Sequence, residues 1–291
     1  MREIKLIELY CAVCHHYGNT IVAETQRLSN NFCPKFTDEE CIATFIWGLS
    51  NQKFDVKRCY DFIKDFYGDW FPELPSYQAY SNRICNLAEA FKMLAGILLN
   101  GLGLDTSHAD FIIDSMPIIV AGSRRSSRAT AANELCDKGY CASKGMYYYG
   151  IKLHSLAQCN WSSMPTPSLI TLSKASENDL SVGKEMLDSV RNIRIFADKC
   201  YKNKAWEGLM LTMNNVTILT PVKHKKGQEY MSFSDRLFSS AVSSVRQPIE
   251  SLFNWIQEKT NIQAASKIRS SSGLIAFVFA RIAYACLCFN S

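Results

Sequence analysis

The chain has 291 residues, of which 47% are hydrophobic, enough to bury the core of one large domain or of a core domain with a smaller appendage. This composition excludes an intrinsically disordered chain. The net charge is +5, yet residues 191–291 alone carry 14 Lys and Arg against 6 Asp and Glu. That basic third is equally consistent with a polyanionic partner and with an ordinary solvated face.

Neither end of the chain is predicted to enter a membrane. The opening stretch MREIKLIELYCAV contains Glu3 and Glu8 and lacks the order of a signal peptide. The apolar run at 274–289 is shorter than the roughly 18 residues that span a bilayer and contains Arg281, so we expect a buried helix. Without export, the 12 cysteines are expected to be reduced thiols in the cytoplasm.

The motif CAVCHH at 11–16 matches the C-x-x-C-H pattern of covalent haem attachment and could also be half of a zinc site. Haem attachment of that kind requires export, and Cys33 and Cys41 do not form a second tight ligand pair. The segment is therefore predicted to be a helix with two thiols that face the core.

Residues 1–105 are predicted to be helical. Thr37 and Glu40 form a capping box in front of CIATFIWGLS, which indicates a helix start. Two helices predicted after residue 54 could form a helix-turn-helix, with Ser81, Asn82 and Arg83 facing DNA. Plain packing within a helical bundle explains the same pattern.

The next region alternates strands and helices. Strands are predicted at 111–120, 146–159, 167–176, 194–198 and 216–222, with helices at 178–190 and near 202–213. This order predicts an α/β fold, a mixed five-stranded sheet flanked by helices. An amphipathic helix is predicted over 232–260, where Pro248 is tolerable only at a kink or a helix start.

Three carboxylates stand out in this region. Asp114 lies inside the apolar run FIIDSMPI, and Asp198 ends the run RIFAD. A buried lone carboxylate is costly unless it is paired or bound to a metal, although Asp198 could also simply cap the following loop. Glu250 follows Arg246 by four positions, the spacing of a helix-stabilising ion pair.

The three carboxylates together allow metal chemistry. One carboxylate from each of two strands and a helix forms the kind of ligand set that Mg²⁺ prefers. Two such ions about 4 Å apart could activate a water or a 3′-hydroxyl and stabilise the leaving oxygen in phosphodiester chemistry.

Linked motifs give the chain a resemblance to a known family. They are, in order, FIIDSMPI, KGYCASKGMYYYGIKLH, SENDL, ADKCY, RQPIE and RSSSGLIAFVFARIAY. From about residue 105 to 288 the chain resembles bacterial insertion-sequence transposases of the DDE type, which have a ribonuclease-H-like catalytic domain. The resemblance implies that Asp114, Asp198 and Glu250 are the catalytic residues and the ligands of Mg²⁺, with Mn²⁺ as a possible substitute.

The same resemblance implies an activity and a domain organisation. Residues 1–105 would be a helical region that binds DNA ends, and 106–291 the ribonuclease-H-like catalytic domain. The protein would bind element ends, hydrolyse phosphodiester bonds and transfer the 3′-hydroxyl end to target DNA by a two-metal mechanism. It would act as a dimer or larger assembly on DNA, in the bacterial cytoplasm at the nucleoid. A nuclease without strand transfer and a decayed DNA-binding copy are the alternatives.

Three positions depart from the family pattern. Cys200 occupies the Gly of D-x-G-Y, Ser243 the Tyr of the Y-x-x-R-x-x-x-E signature, and Gln257 its trailing Lys, whereas Arg246 matches the Arg. If position 200 required a positive φ, Cys200 would cost about 1 kcal/mol. Lys259 could supply the phosphate contact that Gln257 cannot.

Basic residues near these motifs are predicted to contact phosphates, with a solvated surface as the alternative. For Lys152 and His154 the alternatives are substrate contact and packing within the sheet. The predicted DNA-binding residues are Arg124, Arg125, Arg128, Lys152, His154, Lys199, Lys202, Lys223, Lys225, Lys226, Arg246, Lys259, Lys267 and Arg269.

Overall fold

The structure is a computed structural model that describes residues 2–25, 34–104, 109–142, 144–160, 163–223 and 230–289. It divides into two compact units. The first comprises residues 1–101, 130–134 and 256–291, and the second comprises residues 102–129 and 135–255. The C-terminal residues therefore group with the N-terminal helices. The assignment of DNA-end binding to residues 1–105 stays a prediction.

The first unit is helical. Its N-terminal part consists of α1 (Arg2–His16), a π-helical turn (Tyr17–Ile21), α2 (Val22–Glu24), α3 (Asp38–Ser50), α4 (Val56–Tyr67), α5 (Tyr77–Asn86) and α6 (Ala88–Asn100). The predicted capping box is present, because the Thr37 hydroxyl accepts a bond from the Glu40 N–H at 3.2 Å and the Glu40 carboxylate accepts one from the Thr37 N–H at 2.5 Å. This reciprocal pair fixes the start of α3.

The CAVCHH motif lies within α1, as predicted, but its thiols do not both face the core. Cys11 is exposed and Cys14 is half-buried. Leu6 and Val13 provide the buried face instead, since their side chains are only 1% and 2% exposed.

Arg83 faces the interior of the helical unit. Its Nε donates to Asp38 at 2.8 Å, Nη2 lies 2.7 Å from the same carboxylate oxygen, and the side chain is 11% exposed. A guanidinium held in this way is not available to a base edge. The contact favours bundle packing over a helix-turn-helix role for this residue, while Asn82 is exposed.

The last helix of the chain is α11 (Ser271–Phe289), which contacts α3, α5 and α6. By length and composition it could cross a membrane, but 61% of its most apolar window is buried inside the protein, as is usual for a core helix. Arg281, in the middle of the helix, is 1% exposed. These features agree with the predicted buried C-terminal helix.

The second unit contains a six-stranded mixed sheet with the order β2-β3-β1-β5-β6, while β4 pairs with β3 beside this path. The strands are β1 (Asp110–Ala121), β2 (Asp137–Cys141), β3 (Met146–Gln158), β4 (Thr166–Lys174), β5 (Arg194–Phe196) and β6 (Thr217–Leu219). β3 is antiparallel to β1, β2 and β4, whereas β5 runs parallel to β1 and β6. This arrangement is consistent with the expected ribonuclease-H-like fold.

The prediction of five strands missed β2. Its sequence DKGYC has no clear apolar alternation, and the strand gains its order by pairing with the N-terminal half of β3. The other five strands lie close to their predicted positions.

The helices that contact strands of the sheet are α7 (Asp179–Met186), α8 (Lys204–Asn214) and α9 (Phe233–Arg246), and α10 (Pro248–Thr260) follows α9. Met186, Trp206 and Met210 pack with Ile113 and Ile195 in one buried cluster. α9 contacts β1 and β5. Since side chains alternate along a strand, Asp114 points to the face opposite Ile113.

Pro248 is the first residue of α10, so the structure selects the helix start over the kink, the other predicted alternative. Proline is tolerated there because the first N–H of a helix has no intrahelical partner. The predicted long helix is therefore two helices, and Arg246 and Glu250 belong to different ones.

Gly150 is a position where β3 and β1 approach closely. A Cβ at this residue would overlap the carbonyl oxygen of Ile118, a backbone atom that cannot move without disturbing the sheet. We expect Gly150→Ala to lower the free energy of unfolding by about 3 kcal/mol. The control is Gly208→Ala, at an exposed position of α8 with nothing within 4 Å of the new Cβ. This substitution should be neutral or stabilising by up to about 1 kcal/mol. Urea unfolding compares them, and equal midpoints would contradict the expectation.

Candidate active site

Parallel pairing of β1 and β5 aligns Asp114 with Asp198. Asp110 pairs with Arg194 and Ile112 with Phe196, a constant offset of 84 positions (194 − 110). Asp198 follows Asp114 by the same 84 positions (198 − 114), two residues beyond the last recorded pair. Residues in register on neighbouring strands point to the same face. The register therefore places the two carboxylates side by side at the end of β5.

An ion pair at the other end of the alignment fixes this register. Arg194 Nε and Nη2 donate to the two carboxylate oxygens of Asp110 at 2.6 and 2.8 Å. Such a bidentate contact is geometrically specific. Asp110 is buried, so its carboxylate depends on this partner.

Asp198 does not act as a capping side chain. It precedes a 3₁₀ turn at Lys199–Tyr201, but its carboxylate makes no capping hydrogen bond to the backbone of that turn. The Ala197 N–H donates to the Leu219 carbonyl at 3.0 Å, which holds this end of β5 against β6. The Asp198 carboxylate is thus set on a firmly paired strand end and remains half-buried.

The pKa of Asp114 shows that several carboxylates lie near one another at this end of β1 and β5. Asp114, Asp179 and Asp198 are called the carboxylate edge below. The pKa of Asp114 is raised to about 6, mainly by burial and in smaller part by the negative charges of Asp198 and Asp179. The Ser115 N–H, which donates to Asp114 at 2.8 Å, and the Arg246 guanidinium act in the opposite direction. A half-buried carboxylate repelled by its neighbours is a site that a cation would stabilise.

Arg246 lies between two of the predicted catalytic residues. Its Nη1 donates to Asp114 Oδ2 at 2.5 Å, and its Nη2 is 3.7 Å from Glu250 Oε1. The Arg246–Glu250 pair predicted from helical spacing is therefore the weaker contact. The Glu250 side chain is 62% exposed. Within the described ranges, no three His, Cys, Asp or Glu side chains form a group that could hold a metal ion.

Asp179 is a carboxylate of this edge that sequence reasoning did not single out. It begins α7 after the capping residue Asn178. Its Oδ1 accepts from Lys152 Nζ at 2.8 Å and its Oδ2 from the Ser115 hydroxyl at 3.4 Å. The SENDL motif contained the signal, but an Asp in the first turn of a helix has an ordinary explanation in the helix dipole.

Lys152 and His154 lie two residues apart on β3, and both have hydrogen-bond partners within the second unit. Besides Asp179, Lys152 donates to the Glu177 carbonyl at 2.6 Å. His154 is 0% exposed and its Nε2 lies 2.8 Å from the Ser173 hydroxyl. Complete burial favours the packing alternative for His154 over substrate contact.

His154 predicts a pH dependence of stability. Burial lowers its pKa to about 4, and the Lys152 charge acts in the same direction, against the Asp179 charge. The folded chain therefore binds fewer protons than the unfolded chain between about pH 6.5 and 4. The stability contributed by neutral His154 is complete above this window and is lost as pH falls, by up to roughly 3 kcal/mol.

We expect His154→Gln to flatten this part of the curve of unfolding free energy against pH. His15→Gln, at an exposed histidine, should leave the curve unchanged. Urea unfolding at several pH values provides the measurement, and parallel curves for His154→Gln and the parent chain would contradict the assignment.

Cys200 fits its position without backbone strain. It lies in the 3₁₀ turn and is absent from the described residues with positive φ, so the conditional expectation of a strain cost is not met. Tyr201 is fully buried and packs so closely on Gly183 that a Cβ there would lie 2.8 Å from its ring. The Tyr201 hydroxyl is buried without a hydrogen-bond partner among the described residues.

Gln257 has a local structural role in the loop after α10. Its side-chain oxygen Oε1 accepts from the Gln263 N–H at 2.9 Å, and its Nε2 donates to Asn261 Oδ1 at 3.0 Å. These contacts explain why glutamine is suitable at a position where the family signature has lysine. Ser243, the other departure in this signature, is exposed on α9.

The remaining predicted DNA-binding residues form a mostly exposed set. Lys202 is partly engaged, because its Nζ lies 2.9 Å from Glu207. Lys225 and Lys226 lie outside the described residues. Exposed are Arg124, Arg125, Arg128, Lys199, Lys223, Lys259, Lys267 and Arg269.

Comparison with known proteins gives one family. The family model described as a transposase DDE domain matches residues 106–270, more than half of the chain. No significant match was found among curated proteins or among solved structures. The matched range includes all three predicted catalytic carboxylates.

Proposed function

The chain belongs to the transposase DDE domain family, and on that premise we propose that it binds the ends of a DNA element, hydrolyses phosphodiester bonds there and joins the 3′-hydroxyl end to target DNA. In this proposal Asp114, Asp198 and Glu250 are the catalytic residues. The alignment of Asp114 with Asp198 supports the proposal, because the register of β1 and β5 brings the two carboxylates side by side, and among the described residues no basic side chain pairs with both.

Two of the three carboxylates, Asp114 and Asp198, have the chemistry that a divalent metal requires. Asp114 has a raised pKa that burial and neighbouring carboxylates produce, and Asp198 makes no capping bond, so a hard cation would relieve the repulsion. Asp114 and Asp198 would hold Mg²⁺, or Mn²⁺ in its place, and the exposed Glu250 would complete the set. When bound, two ions would supply an activated water or hydroxyl and stabilise the leaving oxygen.

Residues of the chain itself organise this edge. Arg246 pairs with Asp114 and lies near Glu250, so its positive charge reduces the repulsion between these two carboxylates in the absence of other cations. Lys152 holds Asp179, and with it the start of α7, beside Ser115. The exposed cations of the second unit would bind backbone phosphates and so position the scissile bond. In this proposal the protein works as a dimer or larger assembly on DNA in the cytoplasm.

A strand-transfer assay tests the proposal. The purified chain would be given, in parallel reactions, a labelled intact element end and a labelled pre-cut element end, each with a target plasmid and Mg²⁺ or Mn²⁺, with the end sequence taken from inverted repeats flanking the reading frame. Joined product is expected. Hydrolysis of intact ends without joining would indicate a nuclease, and DNA binding without either reaction would indicate a decayed copy.

A further inference from the structure

A cleft in the helical unit is lined by an excess of cations. Its volume is about 710 Å³, within the range of pockets that hold small molecules. Among the described residues, five basic side chains line it and Asp55 is the one acidic lining residue. The basic residues are Lys57, Arg58, Lys267, Arg269 and Arg281. A cleft of this charge is suited to an anion.

Carboxylates balance only some of these cations. Lys57 pairs with Asp61, and Asp55 is shared by Arg58 at 3.4 Å and Lys267 at 3.1 Å. Arg269 donates to the carbonyls of Ser266 and Ile268, at 2.9 and 2.8 Å, and has no carboxylate within ion-pair distance among the described residues. A phosphate in the cleft would balance the remaining positive charge.

Arg281 lies at the lining of the cleft and is the most unusual of the five. The helix buries its guanidinium, which donates to the carbonyls of Thr260 and Phe277 at 3.0 Å each and to that of Phe54. Among the described residues no carboxylate lies within ion-pair distance of it, and burial lowers its pKa to about 9. The three carbonyl oxygens and the Phe277 ring, whose centroid lies 3.5 Å from the guanidinium carbon, stabilise this charge within the chain, and it adds positive potential at the buried wall of the cleft.

Three helices begin at the same cleft. Val56 and Lys57 of α4, Tyr77 and Gln78 of α5, and Gly273 of α11 are all lining residues. Their caps satisfy one N–H each, through Asp55, Ser76 and Ser270. The remaining N–H groups and the aligned peptide dipoles add positive potential to that of the side chains.

We propose that this cleft binds backbone phosphates of the DNA on which the protein acts, as a second contact region beyond the carboxylate edge. The proposal rests on the proposed function for the identity of the ligand, whereas the phosphate chemistry follows from the cleft itself. The half-buried Tyr77 ring at the lining offers a surface against which a nucleotide can stack.

The test uses the full chain with Lys267→Gln and Arg269→Gln combined, because these side chains are exposed and their loss should leave the fold intact. Lys64→Gln with Lys92→Gln, two exposed lysines of the same unit that do not line the cleft, is the matched control. Fluorescence anisotropy of a labelled DNA duplex across a salt series gives affinity and salt slope. We expect the cleft variant to bind about tenfold more weakly, with a salt slope smaller by about 2, and the control to change less than twofold.

Competition identifies the source of the phosphate. Unlabelled DNA should displace the probe from the parent chain, and pyrophosphate should do so only at much higher concentration. If the cleft variant binds DNA like the control while the parent chain still cleaves DNA, the cleft proposal is wrong and the proposed function stands. Thermal stabilisation by pyrophosphate without any DNA binding would overturn the nucleic-acid assignment.

Discussion

Asp198→Asn is expected to abolish strand cleavage and joining, with a loss of about 1,000-fold or more, while DNA affinity changes less than threefold. The substitution keeps the size of the side chain but removes the charge that would hold the metal. Because the Asp198 carboxylate makes no capping bond, the fold should lose little stability. Cleavage of labelled element ends and anisotropy of the same DNA give the two readouts.

The matched control for this result is Asp188→Asn, at an exposed carboxylate of the same unit that lies outside the carboxylate edge. It should cleave at the parental rate. Cleavage by Asp198→Asn at more than a tenth of the parental rate would remove Asp198 from the catalytic set and leave the family assignment untouched.

Arg246→Ala is expected to separate metal binding from catalysis. In the structure the guanidinium occupies Asp114 Oδ2 at 2.5 Å, an oxygen that a metal would also need. Removing it leaves one more negative charge at the edge, so Mn²⁺ should bind the DNA-free chain about tenfold more tightly, equivalent to ~1.4 kcal/mol of Coulomb energy. Cleavage should nevertheless fall by about 100-fold, because a cation that can contact the phosphate is lost.

Two controls accompany this prediction. Arg246→Lys keeps the charge but not the bidentate reach, so Mn²⁺ affinity should stay near the parental value while cleavage falls only in part. Arg236→Ala, at an exposed arginine of the same helix, should change neither. Isothermal titration with Mn²⁺ gives the affinities. Unchanged affinity together with unchanged cleavage in Arg246→Ala would exclude Arg246 from the site.

Local chemistry made part of the structure predictable. The capping box at Thr37 and Glu40 and the proline that opens α10 both act within one helical turn, so the sequence specifies them almost alone. The strands containing Asp114 and His154 were predictable from their long apolar runs. Such apolar runs placed Asp114 within a strand and Asp198 at the end of one, whereas their catalytic role stays a prediction.

Other features depend on tertiary structure and were not predictable in the same way. β2 is ordered by its pairing with β3 and has little pattern of its own. Asp179 lies near the other carboxylates because α7 begins beside Ser115. Arg246 is the last residue of α9, just before the break at Pro248, and its side chain contacts Asp114. Sequence spacing describes neighbours within an element, whereas these contacts join elements far apart in the chain.

The bidentate contact between Arg194 and Asp110 gives β1 and β5 a common reference point. From this contact Asp114 lies four residues along β1, and Asp198 lies four residues along the chain, two residues past the end of β5. Both spacings are independent of the length of the loops that join the intervening elements. A single residue inserted between Asp110 and Asp114 would shift that carboxylate by about 3.3 Å and turn it to the opposite face. The four-residue spacing on each side therefore determines whether the two carboxylates lie side by side.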